Sequence, residues 1–404
     1  MPSKKKKWTK FRHKVITALL RFPLGLYINL TYGIKIEKFK DQGKRNYLIL
    51  YNHQTAFDQF FVGLTFKGPV YYLASEDLFS NGFVSRLIKY LVEPIPIKKQ
   101  AGDVAAVKNC IRIAREGATI AIAPEGNRTY SGKTEYMSPA IADLAKKLGL
   151  PIALLRIEGG YGVHPRWSDV LRKGKMKAYI SRVIEPEEYK KMTSDELFCE
   201  IESGLFVDET TLGGCFESKK RAEYLERAIY VCPYCGLSVF ESHGNIIKCK
   251  KCGIEVSYEP SKELKGKGSE FPYKYVTEWY DYQKDFVNNL DLSEYYEKPL
   301  YRDLAMISQV ILYERKIKLF ETASLTLYGN RIVINEDERD EQTFLFDDIN
   351  AISVLGRNKL NIYHKKEIYQ LKSDKRFNAL KYVNIYYRYV NISKGEVCGK
   401  FLGL

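Results

Sequence analysis

Short apolar runs alternate with helical patterns from Asn46 to about Ile184, and this alternation limits the choice of fold more than any other feature. The runs predict strands at residues 47–51, 70–73, 95–97, 119–123, 152–157 and 176–180. Apolar residues recur at helical spacing from Val104 to Ala114, and another helix is expected to begin at Ser138-Pro139 and to end before Gly149. Strands separated by helices predict an α/β domain with a largely parallel sheet.

The chain begins with a basic cluster that is followed by an apolar stretch. Nine basic residues precede the first acidic residue, Glu37, and the whole chain of 404 residues has a formal charge of +15. The apolar stretch is interrupted by Arg21 and Pro23, so we expect no continuous bilayer span of about 20 residues. Residues 1–40 are therefore predicted to lie on an anionic membrane surface. The alternative is an amphipathic helix packed on its own domain. A secretory signal is disfavoured because no small-residue cleavage site follows before Tyr32.

Four of the eight cysteines form two close pairs. Cys232 and Cys235 are separated by two residues, Cys249 and Cys252 repeat this spacing, and 13 residues lie between the pairs. Four thiolates so spaced can satisfy the tetrahedral geometry of Zn²⁺. The sequence therefore predicts one structural zinc, in a segment that resembles a zinc ribbon and in a reducing compartment. A redox role is less favoured because both pairs are present, and His243 is an alternative ligand.

The C-terminal part of the chain changes to an alternation with a period of two. From about Lys316, this pattern predicts strands at residues 324–328, 331–334, 342–346, 359–363 and 368–371, with a helix after them. The order of these elements resembles a pleckstrin-homology-like fold. Before them we expect a charged helix from about Glu217 to Tyr230, a flexible Lys-Gly-Lys-Gly-Ser linker at residues 265–269, and a helix that contains Trp279.

The segment Asn52-His53-Gln54-Thr55-Ala56-Phe57-Asp58 places a histidine and an aspartate five residues apart, directly after an apolar strand. On one continuous helix these two residues would point about 140° apart and could not touch. If His53 lies in the turn and Asp58 begins the next helix, the carboxylate can bond one imidazole nitrogen. The other nitrogen can then accept a proton from a substrate hydroxyl. With such a pair the chain needs no nucleophile of its own, because the substrate hydroxyl, once it loses its proton, can itself act as the nucleophile.

A second segment, Ala123-Pro124-Glu125-Gly126-Asn127-Arg128-Thr129, follows another predicted strand. Glycine permits close approach of the backbone, and the guanidinium of Arg128 is suited to binding a phosphate through two parallel hydrogen bonds. Ligands of open α/β sheets bind at the carboxyl ends of the strands. We therefore expect this segment to contact a phosphate.

Together the two segments resemble the glycerolipid acyltransferase superfamily, of the lysophosphatidic acid acyltransferase type, over roughly residues 10–200. The family motifs Asn-His-x4-Asp and Pro-Glu-Gly-Thr-Arg are both recognisable here, in the family's order. The resemblance implies that His53 is the general base with Asp58 as its partner, and that Glu125, Gly126 and Arg128 hold a glycerol phosphate. It also implies phosphate contacts from Lys98 and Lys99, because Pro96-Ile97-Lys98-Lys99 corresponds to the family's Phe-Ile-x-Arg block.

Three positions depart from the family's usual residues. Thr55 stands where the family commonly has Ser, Asn127 replaces Thr, and Lys99 replaces Arg, so that a point charge takes the place of a planar fork. None of these changes removes a catalytic group, but they leave the identity of the acceptor open. The remaining histidines are expected to be structural or solvated: His13, His164 and His364.

These observations predict five segments. They are a membrane-anchoring segment at 1–40, an α/β acyltransferase domain at 41–215, a helix and zinc ribbon at 216–262, a linker and helix at 263–315, and a mainly antiparallel, pleckstrin-homology-like β domain at 316–404. The predicted location is the cytoplasmic face of a membrane, as a peripheral or monotopic protein.

The predicted activity is transfer of a fatty acyl group from acyl-CoA or acyl-carrier protein to the hydroxyl of lysophosphatidate or a related glycerol-phosphate acceptor, in phospholipid synthesis. The resemblance implies no catalytic cofactor. Alternative acceptors are glycerol 3-phosphate and other lipid hydroxyls. A second class of function is a membrane-tethered adaptor whose zinc ribbon and β domain bind protein or nucleic acid. Lys248, Lys250 and Lys251 would suit phosphates, but we expect the zinc segment to be structural and nucleic acid not to be a partner.

Overall fold

The computed structural model describes residues 7–80, 82–97, 103–312, 314–395 and 402–403. The chain forms two compact units, which are described separately. The first contains Met1–Arg166 and Lys173–Phe216, and the second contains Trp167–Arg172 and Glu217–Leu404.

A seven-stranded sheet organises the first unit. Its strands are β1 (Ile34–Ile36), β2 (Leu48–Tyr51), β3 (Val70–Ser75), β4 (Ile95–Ile97), β5 (Thr119–Ile122), β6 (Ile152–Glu158) and β7 (Met176–Ile184). The spatial order is β1-β7-β6-β2-β5-β3-β4, and every neighbouring pair is parallel except β6 with β7. The prediction of a largely parallel sheet is therefore confirmed, although β1 was not predicted.

Strand β2 is buried on both faces of the sheet. Alternate side chains point to opposite faces, so Leu48 and Leu50 enter one apolar cluster while Ile49 and Tyr51 enter another. Burial of both faces explains why the sequence reads as a continuous apolar run, which is typical of parallel sheets covered by helices. The central strand is thereby held rigidly, and so is the loop that follows its carboxyl end.

Eight helices accompany this sheet within the described residues. They are α1 (Phe11–Tyr32), α2 (Asp58–Thr65), α3 (Phe83–Leu91), α4 (Val104–Arg115), α5 (Ala140–Leu148), α6 (Gly160–Val163), α7 (Pro186–Tyr189) and α8 (Ser194–Leu205). Helix α5 ends at Gly149 in the left-handed conformation, as predicted.

Helix α1 continues through Arg21 and Pro23, which interrupt the apolar sequence without ending the helix. The guanidinium of Arg21 donates to the carbonyl oxygens of Gly63, Leu64 and Phe66, at the end of α2. The cation therefore satisfies carbonyl groups that a helix terminus leaves without partners. Among the described helices, α1 alone is long and apolar enough to cross a bilayer by length and composition, a test that core helices and signal sequences also pass.

Both ends of α1 are attached to the first unit. Near the beginning, the buried His13 forms a hydrogen bond of 2.9 Å with the hydroxyl of Tyr71, while Trp8 packs against the apolar cluster beneath. At the end, Ile28 and Tyr32 are buried in the cluster on the opposite face of the sheet. These contacts hold α1 alongside the unit over its whole length.

The second unit contains two antiparallel sheets and a short hairpin. The hairpin joins β8 (Val231–Cys232) and β9 (Gly236–Leu237), and the four-stranded sheet contains β10 (Phe240–His243), β11 (Ile246–Cys249), β12 (Glu255–Tyr258) and β13 (Leu264–Lys267). Helix α9 (Val276–Asn288) follows, as predicted. The larger sheet contains β14 (Tyr301–Ile311), β15 (Arg315–Leu327), β16 (Arg331–Ile334), β17 (Gln342–Leu345), β18 (Ile349–Leu355), β19 (Lys359–His364) and β20 (Glu367–Lys372), and it is followed by α10 (Leu380–Ser393).

The larger sheet begins at Tyr301 and not near Lys316, where the alternation was expected to start. Its spatial order is β17-β16-β15-β14-β20-β19-β18. Strand β14 was missed because the register with β15 shifts at Ala305 and again at Ile307, which breaks the alternation of exposed and buried side chains. Strand β18 was also missed, since five of its seven residues are buried and its pattern does not alternate.

The charged helix expected between Glu217 and Tyr230 does not form. The regular structure there is a single 3-10 turn at Leu225–Arg227. Tyr224 has φ +74°, which a right-handed helix cannot contain, and its N–H donates to the hydroxyl of Ser242 on β10 at 2.7 Å. A contact distant in sequence therefore replaces the local helical bonds.

The prediction of a flexible linker at Lys-Gly-Lys-Gly-Ser is also wrong, since most of this segment belongs to strand β13. Gly266 is paired with Val256 of β12, and an added Cβ atom at Gly266 would lie 2.1 Å from the backbone oxygen of Ser269. Glycine is present because the backbone turns back closely on itself there, and not because the segment is flexible.

Replacement of Gly266 distinguishes a packed strand from a linker. We expect Gly266→Ala to lower the free energy of unfolding of the second unit by about 1–3 kcal/mol, because the methyl group must displace the backbone at Ser269. Lys265→Ala, on the exposed neighbouring position, should change it by less than about 0.5 kcal/mol. Thermal unfolding of the two variants is the measurement, and equal stability would contradict the assignment.

Candidate active site and a four-cysteine cluster

The loop between β2 and α2 brings His53 and Asp58 into contact. His53 follows the strand by two residues and Asp58 is the first residue of α2. Nδ1 of His53 lies 2.8 Å from Oδ2 of Asp58. The carboxylate is fully buried, whereas 22% of the histidine side chain remains exposed. The Nδ1 edge of the imidazole is therefore held from inside the protein, while part of the ring is still accessible to solvent.

Asp58 accepts hydrogen bonds from several groups of its own loop. Besides the imidazole, its oxygens receive the N–H of Gln54 at 2.7 Å and both the N–H and the hydroxyl of Thr55, at 3.0 and 2.6 Å. An aspartate surrounded by donors acts as acceptor only, so Nδ1 of His53 must carry the proton in this bond. Nε2 is then the nitrogen with the available lone pair. The hydroxyl of Thr55 is thus one of the donors that hold this carboxylate in place.

The second segment fastens the backbone of His53 from both sides. Glu125 follows β5 and accepts the N–H of His53 on Oε1 at 2.7 Å and the N–H of Glu135 on Oε2 at 2.9 Å. The N–H of Thr129 donates to the carbonyl oxygen of His53 at 3.1 Å. The two segments are 72 residues apart in sequence, and they meet because β2 and β5 are adjacent parallel strands.

Burial shifts the ionisation of two groups beside His53. Desolvation of the buried Glu125 carboxyl raises its pKa to about 8, against the effect of the two N–H donors and with the help of the Glu135 and Asp58 charges. Burial, together with the charge of Asp58, also raises the pKa of Tyr51, the last residue of β2. Both shifts arise because the two side chains are removed from water.

Glu125 does not match its expected role as a phosphate contact. Both carboxylate oxygens are occupied by backbone N–H groups, and only 6% of the residue is exposed. Gly126 is exposed and has φ +67°, a conformation that favours glycine. Arg128 is half-buried in the same loop. Lys98 and Lys99 lie outside the described residues.

Three further residues hold this site: Asn52 and Gln54 belong to the first motif segment but were given no role from the sequence, and Arg166 lies outside both segments. The side chain of Asn52 forms two hydrogen bonds with the backbone of Ile157 on β6, at 2.8 and 2.7 Å. Gln54 accepts the N–H of Tyr161 at 3.2 Å, and a Cβ atom at Gly160 would lie 2.6 Å from the Gln54 side-chain oxygen. The Gly159-Gly160 pair after a strand was the available signal for this close approach.

The third is Arg166, which is 3% exposed. Its Nη1 donates to the carbonyl oxygen of Arg128 at 2.9 Å, and its guanidinium lies 4.2 Å from the ring centre of Tyr130. Arg166 therefore supports the Arg128 loop from within the protein. No local pattern marks it, because the contact spans 38 residues.

Comparison with known proteins identifies the region that contains these residues. Residues 33–158 match the protein-family model described as Acyltransferase. The matched region runs from just before β1 to the end of β6. His53, Asp58, Glu125, Gly126 and Arg128 all lie within it.

Two curated relatives carry the name 1-acyl-sn-glycerol-3-phosphate acyltransferase. The protein from Bacillus subtilis (strain 168) is 22% identical over 176 residues, which are 43% of this chain and 84% of that protein. The protein from Borreliella burgdorferi is 31% identical over 135 residues, which are 32% of this chain and about half, 52%, of that protein. These findings support an O-acyltransferase of the glycerolipid acyltransferase superfamily, and the prediction of an O-acyltransferase is confirmed at this level.

Among solved structures, the crystal structure of the 1-acyl-sn-glycerophosphate (LPA) acyltransferase PlsC from Thermotoga maritima is similar with a TM-score of 0.39 and 23% identity. The alignment covers 48% of this chain and 76% of that chain.

The four paired cysteines of the second unit converge on one point. The sulfur atoms of Cys232, Cys235, Cys249 and Cys252 all lie within 4.8 Å of one another. The Cys232–Cys252 and Cys235–Cys249 separations are both 3.6 Å. His243 does not belong to this group, since it is bonded to Glu241 at 2.8 Å and 65% of its side chain is exposed.

The other histidines have structural surroundings. His13 is buried against Tyr71, and His164 is buried 3.5 Å from the hydroxyl of Tyr32. The ring of His364 packs at 5.2 Å from that of Phe344 on the larger sheet.

The raised pKa of Glu125 predicts a pH dependence of stability. Its contribution to the free energy of unfolding is fully present below the ordinary value of 4.5 and is lost as pH rises to about 8, because over this range the folded protein holds a proton that the unfolded chain has already released. We expect the Tm difference between wild type and Glu125→Gln, which cannot titrate, to shift against the wild type between pH 6 and pH 9. Calorimetry at the two pH values measures it, and a constant difference would contradict the shifted pKa.

Proposed function

We propose that the chain transfers a fatty acyl group from acyl-CoA or acyl-carrier protein to the free hydroxyl of lysophosphatidate or a closely related glycerol phosphate. The observation that carries the proposal is the bond from His53 Nδ1 to the buried Asp58, which leaves Nε2 as the nitrogen with the available lone pair. Its location in an acyltransferase domain and the names of the two relatives support the same substrate class.

In the proposed reaction, Nε2 of His53 takes the proton of the acceptor hydroxyl while that oxygen attacks the thioester carbonyl carbon. The tetrahedral intermediate then collapses, the carbon–sulfur bond breaks, and the protonated imidazole returns its proton to the departing thiolate sulfur. Asp58 stabilises the imidazolium between these steps and fixes the ring orientation. The products are the acylated lipid and a free thiol, so the histidine ends in its starting state.

Arg128 is proposed to bind the acceptor phosphate, together with Lys98 and Lys99. Glu125 is proposed as a positioning residue, because both of its side-chain oxygens accept backbone N–H groups, one of which belongs to His53. Arg166 is proposed to hold the Arg128 loop in place. These contacts are expected to place the acceptor hydroxyl within hydrogen-bonding distance of Nε2 of His53. Accurate placement matters because a small displacement of the reacting groups lowers the rate by a large factor.

A monotopic membrane location is the remaining part of the proposal. Helix α1 is apolar and mostly exposed, yet Trp8, Arg21 and Tyr32 attach it to the first unit along its length. A helix that crossed the bilayer would have to abandon these contacts. We therefore propose that α1 lies in the cytoplasmic interface of the membrane, parallel to its surface.

The four cysteines are proposed to bind one structural zinc. A tetrahedral zinc with bonds of about 2.3 Å separates its sulfur ligands by roughly 3.8 Å, close to the arrangement of these side chains. The neighbouring lysines are engaged with acidic side chains, Lys248 with Glu255 and Lys250 with Glu241. That pairing gives no support to binding of nucleic acid by this segment.

The catalytic and phosphate-binding roles predict different kinetic defects. His53→Ala should lower kcat by about 10²–10⁴-fold, because a general base typically contributes that much. Arg128→Ala should mainly raise the KM for lysophosphatidate and should have little effect with an acceptor that lacks the phosphate. Measurement of kcat/KM with both acceptors separates the two, with His243→Ala as a histidine control of unchanged rate. Near-wild-type activity in His53→Ala would refute the base, and equal Arg128→Ala defects with both acceptors would refute the phosphate contact.

The zinc proposal predicts a metal content of about one ion per chain that depends on the paired cysteines alone. Cys249→Ser/Cys252→Ser should lose the metal and unfold the second unit at lower temperature, because metal binding is coupled to folding. Cys199→Ser/Cys215→Ser, which changes two exposed cysteines outside the cluster, should keep the metal and the unfolding temperature of wild type. Elemental analysis with thermal unfolding is the test, and a zinc-free wild type that remains folded would overturn the proposal.

A further inference from the structure

Helix α3 of the first unit has four of its six apolar side chains exposed, while Ile88 and Leu91 are partly buried. Phe83 and Leu87 are 70% and 44% exposed, and Val84 and Tyr90 are exposed as well. The buried side chain of this helix is Ser85, whose hydroxyl donates to the carbonyl oxygen of Leu78 at 2.6 Å. A helix on the surface of a water-soluble domain normally has the opposite arrangement, with its apolar stripe against the core.

The exposed apolar surface of α3 continues onto α1. The side chain of Arg12 on α1 donates to the carbonyl oxygen of Tyr90 at 3.0 Å and lies 4.4 Å from the centre of its ring. Just before α1, the Trp8 indole donates to the carbonyl oxygen of Glu93 at 2.8 Å, and Lys10 pairs with the Glu93 carboxylate. The end of α3 is thus fixed to the beginning of α1, where Phe11 is also exposed.

The charges on α3 indicate what covers this surface. The helix carries two exposed cations, Arg86 and Lys89, and no acidic residue. The nearby carboxylate of Glu93 is already occupied by Lys10. A row of apolar side chains flanked by cations is suited to an anionic lipid surface, where the side chains enter the acyl region and the cations meet the phosphates.

We propose that α3 is a second membrane-binding helix, which inserts Phe83, Val84, Leu87 and Tyr90 into the same anionic leaflet as α1. The inference rests on the proposed membrane location of α1 and extends it to an element between the two catalytic segments. Two helices joined at their ends define a plane, so the orientation of the first unit on the membrane is fixed and not merely its attachment. A second inserted helix adds a membrane contact away from the axis of α1 and so resists rotation of the unit about that axis.

Binding to lipid vesicles tests α3 without requiring turnover. The full chain is sedimented with vesicles of phosphatidylcholine and phosphatidylglycerol, and Phe83→Glu/Leu87→Glu should lower the partition coefficient by about tenfold or more. The matched control is Phe206→Glu, at a residue of the same unit that is 42% exposed and follows α8. It should bind like wild type.

A second variant keeps the test independent of the apolar substitutions. Arg86→Glu/Lys89→Glu should weaken binding to the anionic vesicles and have little effect with phosphatidylcholine alone, in the manner of a charge-dependent contact. Thermal unfolding of each variant establishes that it is folded.

The outcomes separate the inference from the proposal beneath it. If wild type binds and both α3 variants bind equally well, the α3 inference is overturned while the membrane location of α1 stands. If wild type does not bind vesicles, both membrane statements fall, and acyl transfer is still judged by its own kinetics. A third outcome is that Phe83→Glu/Leu87→Glu binds vesicles like wild type but changes the oligomeric state in analytical ultracentrifugation. The surface is then an interface between copies of the chain, and the inference is likewise overturned.

Discussion

The hydrogen bonds that surround the backbone of His53 connect every part of the candidate site. Its N–H is held by the carboxylate of Glu125 and its carbonyl oxygen by the N–H of Thr129, while its imidazole is held by Asp58. The residue has little freedom left, because its N–H, its carbonyl oxygen and its Nδ1 each have a partner inside the domain. This fixed position can exist only because β2 and β5 are adjacent and parallel, so that the loops at their carboxyl ends must meet. The pairing of β2 with β5 therefore sets the position of His53.

The same principle extends to β6, the other neighbour of β2. Asn52 is bonded to the backbone of that strand, and Gln54 meets the turn that follows it at Gly160. Three consecutive strands of the sheet therefore each send a loop to one place. Arg21 attaches the apolar helix α1 to the last residues of α2, the helix whose first residue is Asp58. In the proposed function, the base His53 and the membrane-binding helix α1 belong to the same domain. A lipid acceptor in the membrane can then reach His53 without a large movement of the domain.

The sequence was sufficient where the interaction is local and insufficient where it depends on folding at a distance. The contact between His53 and Asp58 could be predicted, because five residues across a strand-to-helix turn leave few geometries. The role of Glu125 could not, since its partner lies 72 residues away and its residue type also suits a ligand contact. Arg166 had no signal for the same reason. Strand β14 escaped detection because its register shifts hide the alternation, and β13 resembled a linker because close backbone packing and flexibility both require glycine.

The central claim is direct transfer of the acyl group to an acceptor hydroxyl that His53 activates, with no acyl-enzyme between. A single-turnover experiment tests it most directly: enzyme in excess is mixed with a radiolabelled acyl thioester, with and without lysophosphatidate, and is quenched in denaturant at successive times. We predict that label moves from the thioester to lipid only when the acceptor is present, and that none is retained on the protein at any time. Label bound covalently to the protein and then chased into lipid, or a thioester left intact with the acceptor present, would contradict the account.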